Sequence, residues 1–325
     1  MASSTVIGPA FGDLVQPFQI ENLELRGRLV RLSPALDAIL TPHAYPPEVA
    51  GILAETVTLA AALSSGLKFD GVFTLQTQSD GPVGLMVADI TSEGDMRGYA
   101  RYDEERLGKI TADASSAGAI GPVPRLLGAG HLAFTVDQGP DTERYQGITE
   151  LTGATMTDCA HTYFRQSEQL DTAIMLSSTL GDAGGDGAGL RAAALLLQRL
   201  PTSGGQGADM VDVSDDDWRH AVVMMSSLTS EELLDPALSP SQVLYRLFHE
   251  DGVRVYQERA FRAKCRCSRI RVMTTLKSFP KDEIRSLRAE DGKVIVTCEF
   301  CKAEYVFDEA ALDALYLDDA SAKRA

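Results

Sequence analysis

Short stretches in which hydrophobic and polar residues alternate fill most of the first 180 positions. The clearest pair is Gly71–Gln78 (GVFTLQTQ) and Val83–Ile90 (VGLMVADI), which flank the turn sequence Ser79–Pro82. Alternation with a period of two is typical of strands with one buried face. Further stretches of this kind are 18–32, 96–102, 131–137, 144–150 and 172–178. Together they predict an antiparallel sheet with one covered face.

Helical spacing replaces this alternation between Glu48 and Leu67. Apolar residues recur there three and four positions apart, and Ser64-Ser65-Gly66 ends the pattern, which predicts one long helix. Its many alanines favour close packing against other elements. A second helix is predicted at 156–170, and Ser33-Pro34 is a typical helix start. Helices mixed with antiparallel strands indicate the α+β class, and we expect this N-terminal core domain to span residues 18–215.

Residues 216–260 carry helix signals without a strand pattern. Thr229–Glu232 (TSEE) and Ser239–Gln242 (SPSQ) both fit a capping box, in which side chains satisfy the first free amides of a helix. In the second of these helices the apolar residues of VLYRLFHEDG share one face. A helix this short is marginal alone and holds its shape by docking, and we expect the elements on either side to be its partners. These signals predict a helical linker over 216–260.

The remaining segments complete the expected organisation. Residues 1–17 form a leader that we expect to be disordered, 261–316 a small C-terminal domain, and 317–325 a tail. Met1–Asp13 contains no Lys or Arg and no long apolar core, unlike a secretory signal. No run of about 18 apolar residues occurs, as a membrane span would need. We therefore expect a cytoplasmic protein that does not enter a membrane.

The net charge is −16 and the pI is about 4.7, so the chain as a whole repels nucleic acid and anionic membranes. The segment 261–301 differs, because ten basic residues there stand against five acidic ones. This local excess of positive charge fits a solvated basic face, compensation of a metal–thiolate centre, or contact with nucleic acid. The sequence leaves these three interpretations open.

Common catalytic and phosphate-binding motifs are missing from the sequence. The Gly-rich stretch 181–189 (GDAGGDGAG) lacks the Lys-Ser/Thr pair of a phosphate loop and the spacing of a dinucleotide loop. It therefore predicts a loop between sheet elements. No GxSxG or HExxH occurs either. We expect a protein that is not an enzyme.

Four of the five cysteines cluster near the C-terminus, as Cys265-Arg266-Cys267 and Cys298-Glu299-Phe300-Cys301. Four thiolates satisfy the tetrahedral coordination of zinc and leave no open position. The cluster therefore predicts a site for one Zn²⁺ per chain without zinc catalysis. The CxxC half is a common knuckle, whereas the CxC half would place both sulfurs on one side of an extended strand.

Two interpretations of this site remain. It is either an inert structural zinc ribbon or a redox-active centre. The redox interpretation is favoured because the cysteines of each half are adjacent and because oxidants attack thiolates. A module this small also depends on its metal for folding. Cys159 stands apart, in the helix predicted at 156–170, and we expect it to pack as a small apolar residue.

Seven stretches coincide with motifs of a known family. They are LSSGLKFDGVFTLQTQSDGP (63–82), MRGYAR (96–101), RYQGI (144–148), YFRQSEQL (163–170), LYRLFHEDGVRVY (244–256), CRCSR (265–269) and EDGKVIVTCEFCKAEYVFD (290–308). With them the chain resembles the 33-kilodalton chaperonin family, the redox-regulated heat-shock holdases of bacteria, from about Phe18 to Leu315. The CxC and CxxC pair, RYQGI and YFRQSEQL are its most specific parts. The leader, the tail and the region 181–207 depart from the family pattern.

The resemblance implies a mechanism for this chain. The reduced form would be an inactive monomer with zinc bound to Cys265, Cys267, Cys298 and Cys301. Oxidation would form the disulfides Cys265–Cys267 and Cys298–Cys301, release zinc, and unfold the module together with the linker. The oxidised protein would form a homodimer and hold unfolded client proteins without ATP. Neither nucleic acid nor a membrane would be a partner.

The residues alone leave two other functions open. The local positive charge also fits a constitutive zinc-ribbon nucleic-acid-binding protein, whose affinity would fall steeply with salt. A CxxC motif also occurs in thiol-disulfide oxidoreductases. There it normally lies in a βαβ context, whereas CEFC here follows a predicted strand near the C-terminus.

Overall fold

A computed structural model describes residues 11–112, 121–139, 142–168, 170–180, 189–199, 214–289 and 291–322. Close contacts group the chain into two compact units, 1–263 and 264–325. The predicted loop at 181–188 and the first ten residues of the predicted leader lie outside the described residues.

Along the first unit, runs of two or three strands are separated by helices. Its strands are β1 (Leu14–Ile20), β2 (Leu25–Leu32), β3 (Val72–Ser79), β4 (Val83–Thr91), β5 (Asp95–Tyr102), β6 (Gly130–Asp137), β7 (Tyr145–Glu150), β8 (Thr172–Thr179), β9 (Arg191–Arg199), β10 (Val253–Val255), β11 (Arg259–Ala260) and β12 (Arg262–Ala263). Its helices are α1 (Pro34–Leu40), α2 (Pro47–Ser64), α3 (Glu104–Ala112), α4 (Met156–Tyr163), α5 (Asp215–Ser226), α6 (Ser230–Leu234) and α7 (Pro240–Phe248). The α+β class is confirmed.

Two six-stranded sheets form the frame of the first unit. The first sheet has the order β10-β1-β2-β9-β8, with β11 also paired to β1, and the second has the order β12-β5-β4-β3-β6-β7. All pairs are antiparallel except β12 with β5, which is parallel. The sequence pattern predicts a sheet but does not reveal that its strands divide into two.

Helix α2 lies between these sheets and contacts β2, β8 and β9 on one side and β3, β4 and β5 on the other. This position explains its alanines, which let both sheets approach closely, and confirms the predicted long helix. The hydroxyls of Thr56 and Thr58 donate to the carbonyls of Ile52 and Ala54, so these buried polar groups are satisfied within the helix. Among the described residues, α2 alone has the length and composition to cross a membrane, and 72% of it is buried inside the protein.

The first sheet is covered on both faces, so the expectation of one exposed sheet face is wrong here. Along β9, Ala192, Ala194 and Leu196 pack in the cluster around α2. The alternate residues Ala193, Leu195 and Leu197 pack in a second cluster with α5, α6 and α7. Apolar and polar residues do not alternate along β9, because neither of its faces meets water. A near-continuous apolar run is typical of a strand that is buried on both faces.

Docking of the linker helices uses this sheet in addition to the neighbouring elements that the sequence suggests, since α7 contacts α5 and β10 as well as β1. Phe248 at the end of α7 stacks on Phe18 of β1, with ring centroids 6.0 Å apart. Phe18 lies across Gly27, where a Cβ atom would fall 2.1 Å from the ring. Only glycine allows the ring to lie there. The two predicted capping boxes, at Thr229 and Ser239, are confirmed.

Several predicted boundaries change. Strand β1 begins at Leu14, so the prediction of a disordered leader is wrong for residues 14–17, which pair with Arg31–Arg28 of β2. The region 216–260 ends in strands β10 and β11 rather than in helix, because both pair with β1. The helix predicted to reach residue 170 ends at Tyr163 and continues as the π-helical turn Phe164–Glu168.

We predict that Phe248→Ala releases α7 from the sheet. Removal of a fully buried Phe costs about 3–5 kcal/mol, which exceeds what so short a helix can supply by itself. Limited proteolysis of the reduced protein should then cut within 227–252 much faster than in the wild type. Tyr245→Ala is the matched control, because this residue of the same helix is 63% exposed. Equal cleavage rates for the two variants would contradict the docking described here.

Candidate metal centre

The second unit has a small apolar core. Its elements are α8 (Arg269–Lys277), α9 (Lys281–Ser286), β13 (Val294–Thr297), β14 (Glu304–Phe307) and α10 (Glu309–Ala322). Its buried cluster, among the described residues, consists of Leu276, Ile284, Val294, Phe307 and Leu312. Five side chains are few for a unit of this length, since domains of about 60 residues are already marginal. Additional stabilisation must come from elsewhere.

The CxxC half forms the turn between β13 and β14. The amide of Cys298 donates to the carbonyl of Ala303, and the amide of Lys302 donates back to the carbonyl of Cys298, both at 2.9 Å. Lys302 has a φ of 57°, the left-handed conformation that closes this knuckle. The turn places the sulfurs of Cys298 and Cys301 on one side, as the spacing predicts.

The CxC half lies between β12 and α8, in backbone with no regular structure. Cys265 and Cys267 therefore lie outside the strands of the described residues. The helix that follows begins directly after them, because Ser268 caps α8 by accepting from the amide of Arg271. In turn, the Arg271 guanidinium donates to the carbonyl of Arg266, between the two cysteines. The chain at the CxC motif is thus held by α8 instead of by a strand partner.

The two halves bring four sulfurs together. The Sγ atoms of Cys265, Cys267, Cys298 and Cys301 all lie within 4.8 Å of one another. The Sγ–Sγ distances are 3.8 Å for Cys265–Cys298 and 3.4 Å for Cys267–Cys301. A tetrahedron with metal–sulfur bonds of about 2.3 Å has edges of about 3.8 Å. The arrangement therefore fits one tetrahedral metal ion held by four thiolates.

A hydrogen bond from outside the cluster orients one of these sulfurs. The hydroxyl of Tyr305 on β14 donates to Sγ of Cys267 at 3.1 Å. This bond raises the pKa of Tyr305 to about 12, so the hydroxyl stays protonated and remains a donor. Burial raises the pKa of the Cys267 thiol, and raises that of Cys301 to about 12. A coordinated metal opposes this effect because its charge favours the thiolate form.

Tyr305 was missed by the sequence reasoning. Its signal is the alternation in Glu304–Phe307 (EYVF), where Tyr305 and Phe307 point inward and their neighbours are exposed. An inward tyrosine four residues after Cys301 is well placed to donate to the cluster. Arg269, one of the basic residues near the cysteines, stacks over the Phe307 ring at 4.3 Å and donates to the Val306 carbonyl. Its positive charge is therefore part of the packing of this unit.

Cys159 takes no part in this centre. It is buried in α4 of the first unit, and its thiol lies 3.2 Å from the carbonyl of Thr152. Burial raises the pKa of this thiol, which keeps it protonated and unreactive. The structure thus supports the expected packing role. Trp218, near the start of α5, is partly buried against the cluster that holds the linker helices.

Comparison with known proteins agrees with this architecture. The family model described as Hsp33 protein matches residues 13–308. The 33 kDa chaperonin of Caulobacter vibrioides is 41% identical over 307 residues, which cover 94% of this chain and 98% of that protein. The chain belongs to the Hsp33 family. A 33 kDa chaperonin of Ectopseudomonas mendocina is 35% identical, with 94% and 95% covered.

A crystal structure of a member of the Hsp33 family also shares this fold. The 33 kDa chaperonin (heat shock protein 33 homolog) of Thermotoga maritima aligns with a TM-score of 0.76 and 23% sequence identity. The alignment covers 95% of this chain and 99% of that one. The fold described above is therefore the Hsp33 fold, and the four-cysteine cluster lies in a member of a chaperone family.

We predict that Tyr305→Phe weakens metal binding. The substitution removes a hydrogen bond to a thiolate ligand, and loss of such a bond typically reduces affinity about 10–100-fold. Competition of the reduced protein with a chromophoric zinc chelator measures this change. Tyr316→Phe is the control, since that hydroxyl donates to the carbonyls of Leu276 and Phe279 and not to sulfur. An affinity for zinc that is the same in both variants would show that the bond to Cys267 has no such role.

Proposed function

We propose that this chain is a redox-regulated holdase chaperone, zinc-bound and inactive when its thiols are reduced. The observation that carries the proposal is the four-thiolate cluster in a unit with so small an apolar core. Zinc is the metal that four thiolates in a tetrahedral arrangement favour, and it has no redox chemistry of its own. The redox change would therefore take place at the sulfurs. Membership of the Hsp33 family supports a chaperone function.

The proposed activation couples oxidation of the thiolates to loss of the metal. Four thiolates would give up four electrons to two molecules of peroxide, which with four protons become four waters, and two disulfides would form. Disulfide sulfur no longer binds zinc, so the second unit would lose its main source of stability. We propose the pairs Cys265–Cys267 and Cys298–Cys301. All four Sγ atoms lie within 4.8 Å of one another, and an S–S bond is about 2.05 Å long, so this pairing requires the two sulfurs of each half to turn toward each other.

Release of the linker would expose a large apolar surface. Helices α5, α6 and α7 cover one face of the first sheet, where the side chains Phe18, Ile20, Leu25, Leu29, Leu195 and Leu197 are all buried. Exposed apolar surface of this size is what binds unfolded proteins, and also what two copies of the chain would cover in a homodimer. We propose that unfolded clients bind on this face in the cytoplasm, where reducing conditions keep the thiols metal-bound until oxidative stress.

Two arginines, Arg31 buried and Arg191 half-buried, hold the middle of the linker to this face. The Arg31 guanidinium donates to the carbonyl of Leu238, and that of Arg191 donates to the carbonyl of Leu234 at 3.3 Å. Both guanidinium groups also lie over the ring of Phe11. These bonds run to backbone carbonyls that become available to water when the linker moves. They therefore favour the docked state without preventing its release.

We expect peroxide to convert the full-length protein into an aggregation inhibitor. A thermally unfolding client protein should scatter less light with oxidised, zinc-free protein than with an equal amount of reduced, zinc-loaded protein. Cys159→Ser should behave like the wild type, because that thiol lies outside the cluster. If oxidised and reduced protein suppress aggregation equally, the proposed switch is wrong.

The disulfide pairing can be tested separately by peptide mapping of the oxidised protein. We expect linkages within each half, with two disulfides and one zinc ion released per chain. Linkages between the halves, such as Cys267 with Cys301, would contradict the proposed pairing while leaving the chaperone function open. Hydrogen exchange of the same samples should show loss of protection in α5, α6 and α7 on oxidation. Persistent protection there would contradict linker release.

A further inference from the structure

A cavity lies between the two sheets of the first unit, at the C-terminal end of α2. Its volume is about 450 Å³, within the range of about 300–1,000 Å³ found for ligand pockets. Three stretches that mark the family resemblance line it: 63–82, RYQGI and YFRQSEQL, all of them far in sequence from the four cysteines of the candidate metal centre. The redox mechanism proposed above assigns no role to these stretches.

Aromatic side chains form one wall of this cavity. The rings of Phe134 and Tyr163 stack with centroids 3.8 Å apart, and Phe164 meets Tyr163 edge-on at 5.5 Å. Leu63 of α2 and Leu196 of β9 contribute aliphatic surface to the lining. Such a lining suits a planar apolar group, because aromatic rings pack well by stacking and by edge contacts.

Two glycines leave room for side chains of the lining. A Cβ atom at Gly147, in RYQGI, would lie 2.6 Å from the Tyr163 ring. A Cβ atom at Gly66 would lie 2.6 Å from Cζ of Arg28, within its guanidinium group. Neither glycine has a positive φ, so backbone conformation does not explain them. They leave the space that the aromatic wall and the arginine occupy.

The cavity also contains a cation without an anionic partner. Arg28 donates to the side-chain carbonyl of Gln198 at 2.9 Å, and among the described residues no carboxylate pairs with it. Burial lowers the pKa of Arg28 to about 10, and the nearby charges of Arg259 and Arg26 add to this effect. A half-buried guanidinium beside two further cations is stabilised by an anion.

Glu168 is the one carboxylate among the described lining residues, and it is already engaged. Oε1 of Glu168 accepts hydrogen bonds from the hydroxyls of Tyr145 and Tyr163, both at 2.6 Å. Its charge is therefore stabilised by the cavity wall itself. Lys68 adds a second positive charge to the lining. Positive charge thus exceeds negative charge around the cavity, and Arg28 is its most buried cation.

We propose that this cavity binds a small carboxylate with a planar apolar body. The carboxylate would receive a bidentate hydrogen bond from the Arg28 guanidinium, and the apolar body would lie against the Phe134 and Tyr163 rings. The fork of a guanidinium matches a carboxylate in geometry, which distinguishes this site from a purely apolar pocket. The proposal is independent of the redox function, since all of these residues belong to the first unit.

Calorimetric titration of the reduced, zinc-loaded full chain with 2-naphthoate tests the proposal. Its neutral amide, 2-naphthamide, has nearly the same shape without the charge. We expect one site per chain for the carboxylate and binding of the amide weaker by about tenfold or more, as for loss of a charged hydrogen bond. Equal binding of the two compounds, or no saturable binding of the carboxylate, would overturn the proposal.

Variants locate the site. Arg28→Met should weaken binding of 2-naphthoate by about tenfold and leave binding of 2-naphthamide within about twofold. The variant should fold, because it removes a half-buried charge that no carboxylate of the described residues pairs with. Arg26→Met is the matched control, since Arg26 lies on the same strand but does not line the cavity. A loss of carboxylate affinity that is equal in both variants would mean that general surface charge is responsible, which would also overturn the proposal.

A measurement on the unmodified protein avoids any dependence on variant folding. Methyl NMR with 2-naphthoate should shift the signals of Leu63 and Leu196, which line the cavity. The methyls of Leu312, in the core of the second unit, should not move. Shifts confined to residues other than Leu63 and Leu196 would place the ligand elsewhere and exclude this cavity as its site.

Discussion

Apolar cover on both faces of β9 is the constraint on which the first unit depends. The run Ala192–Leu197 has no polar side, so a sheet that contains it must be covered twice. Helix α2 supplies one cover and is itself buried between two sheets, which makes it a permanent part of the core. The linker helices supply the other cover. They add a layer on the outer face of the first sheet, away from the second sheet.

The second unit reaches stability by a different route. Its helices and its hairpin enclose few apolar side chains. The CxxC knuckle lies at the tip of the hairpin, and it belongs to a cluster of four sulfurs. A cluster of thiolates is repulsive without a cation and strongly stabilising with one. A metal ion held by the four thiolates would therefore contribute to the free energy of folding of this unit. In the first unit, by contrast, burial of hydrocarbon supplies the stability.

Local signals in the sequence were sufficient for many elements and for the grouping of the four cysteines. Capping boxes, the alternation in β3 and β4, and the cysteine spacing each depend on a few neighbouring residues. The errors concern partners distant in sequence. The start of β1 at Leu14 and the docking of α7 on Phe18 are set by contacts between residues more than 200 positions apart. The division of the strands into two sheets depends on which faces of the strands are covered. Tyr305 was missed for the same reason, because its role depends on a sulfur from another part of the chain.

The pairing of β1 with β10 and β11 has a consequence for synthesis of the protein. Strand β1 is translated early, but its partners β10 and β11 are translated more than 200 residues later. The sheet face under the linker helices stays uncovered until α7 has emerged from the ribosome. At roughly 5–20 residues per second, translation from Arg199 to Phe248 takes on the order of a few seconds. During that interval a nascent chain displays the apolar face that the finished protein covers. Each newly made molecule therefore passes through an open state before its own C-terminal half closes it.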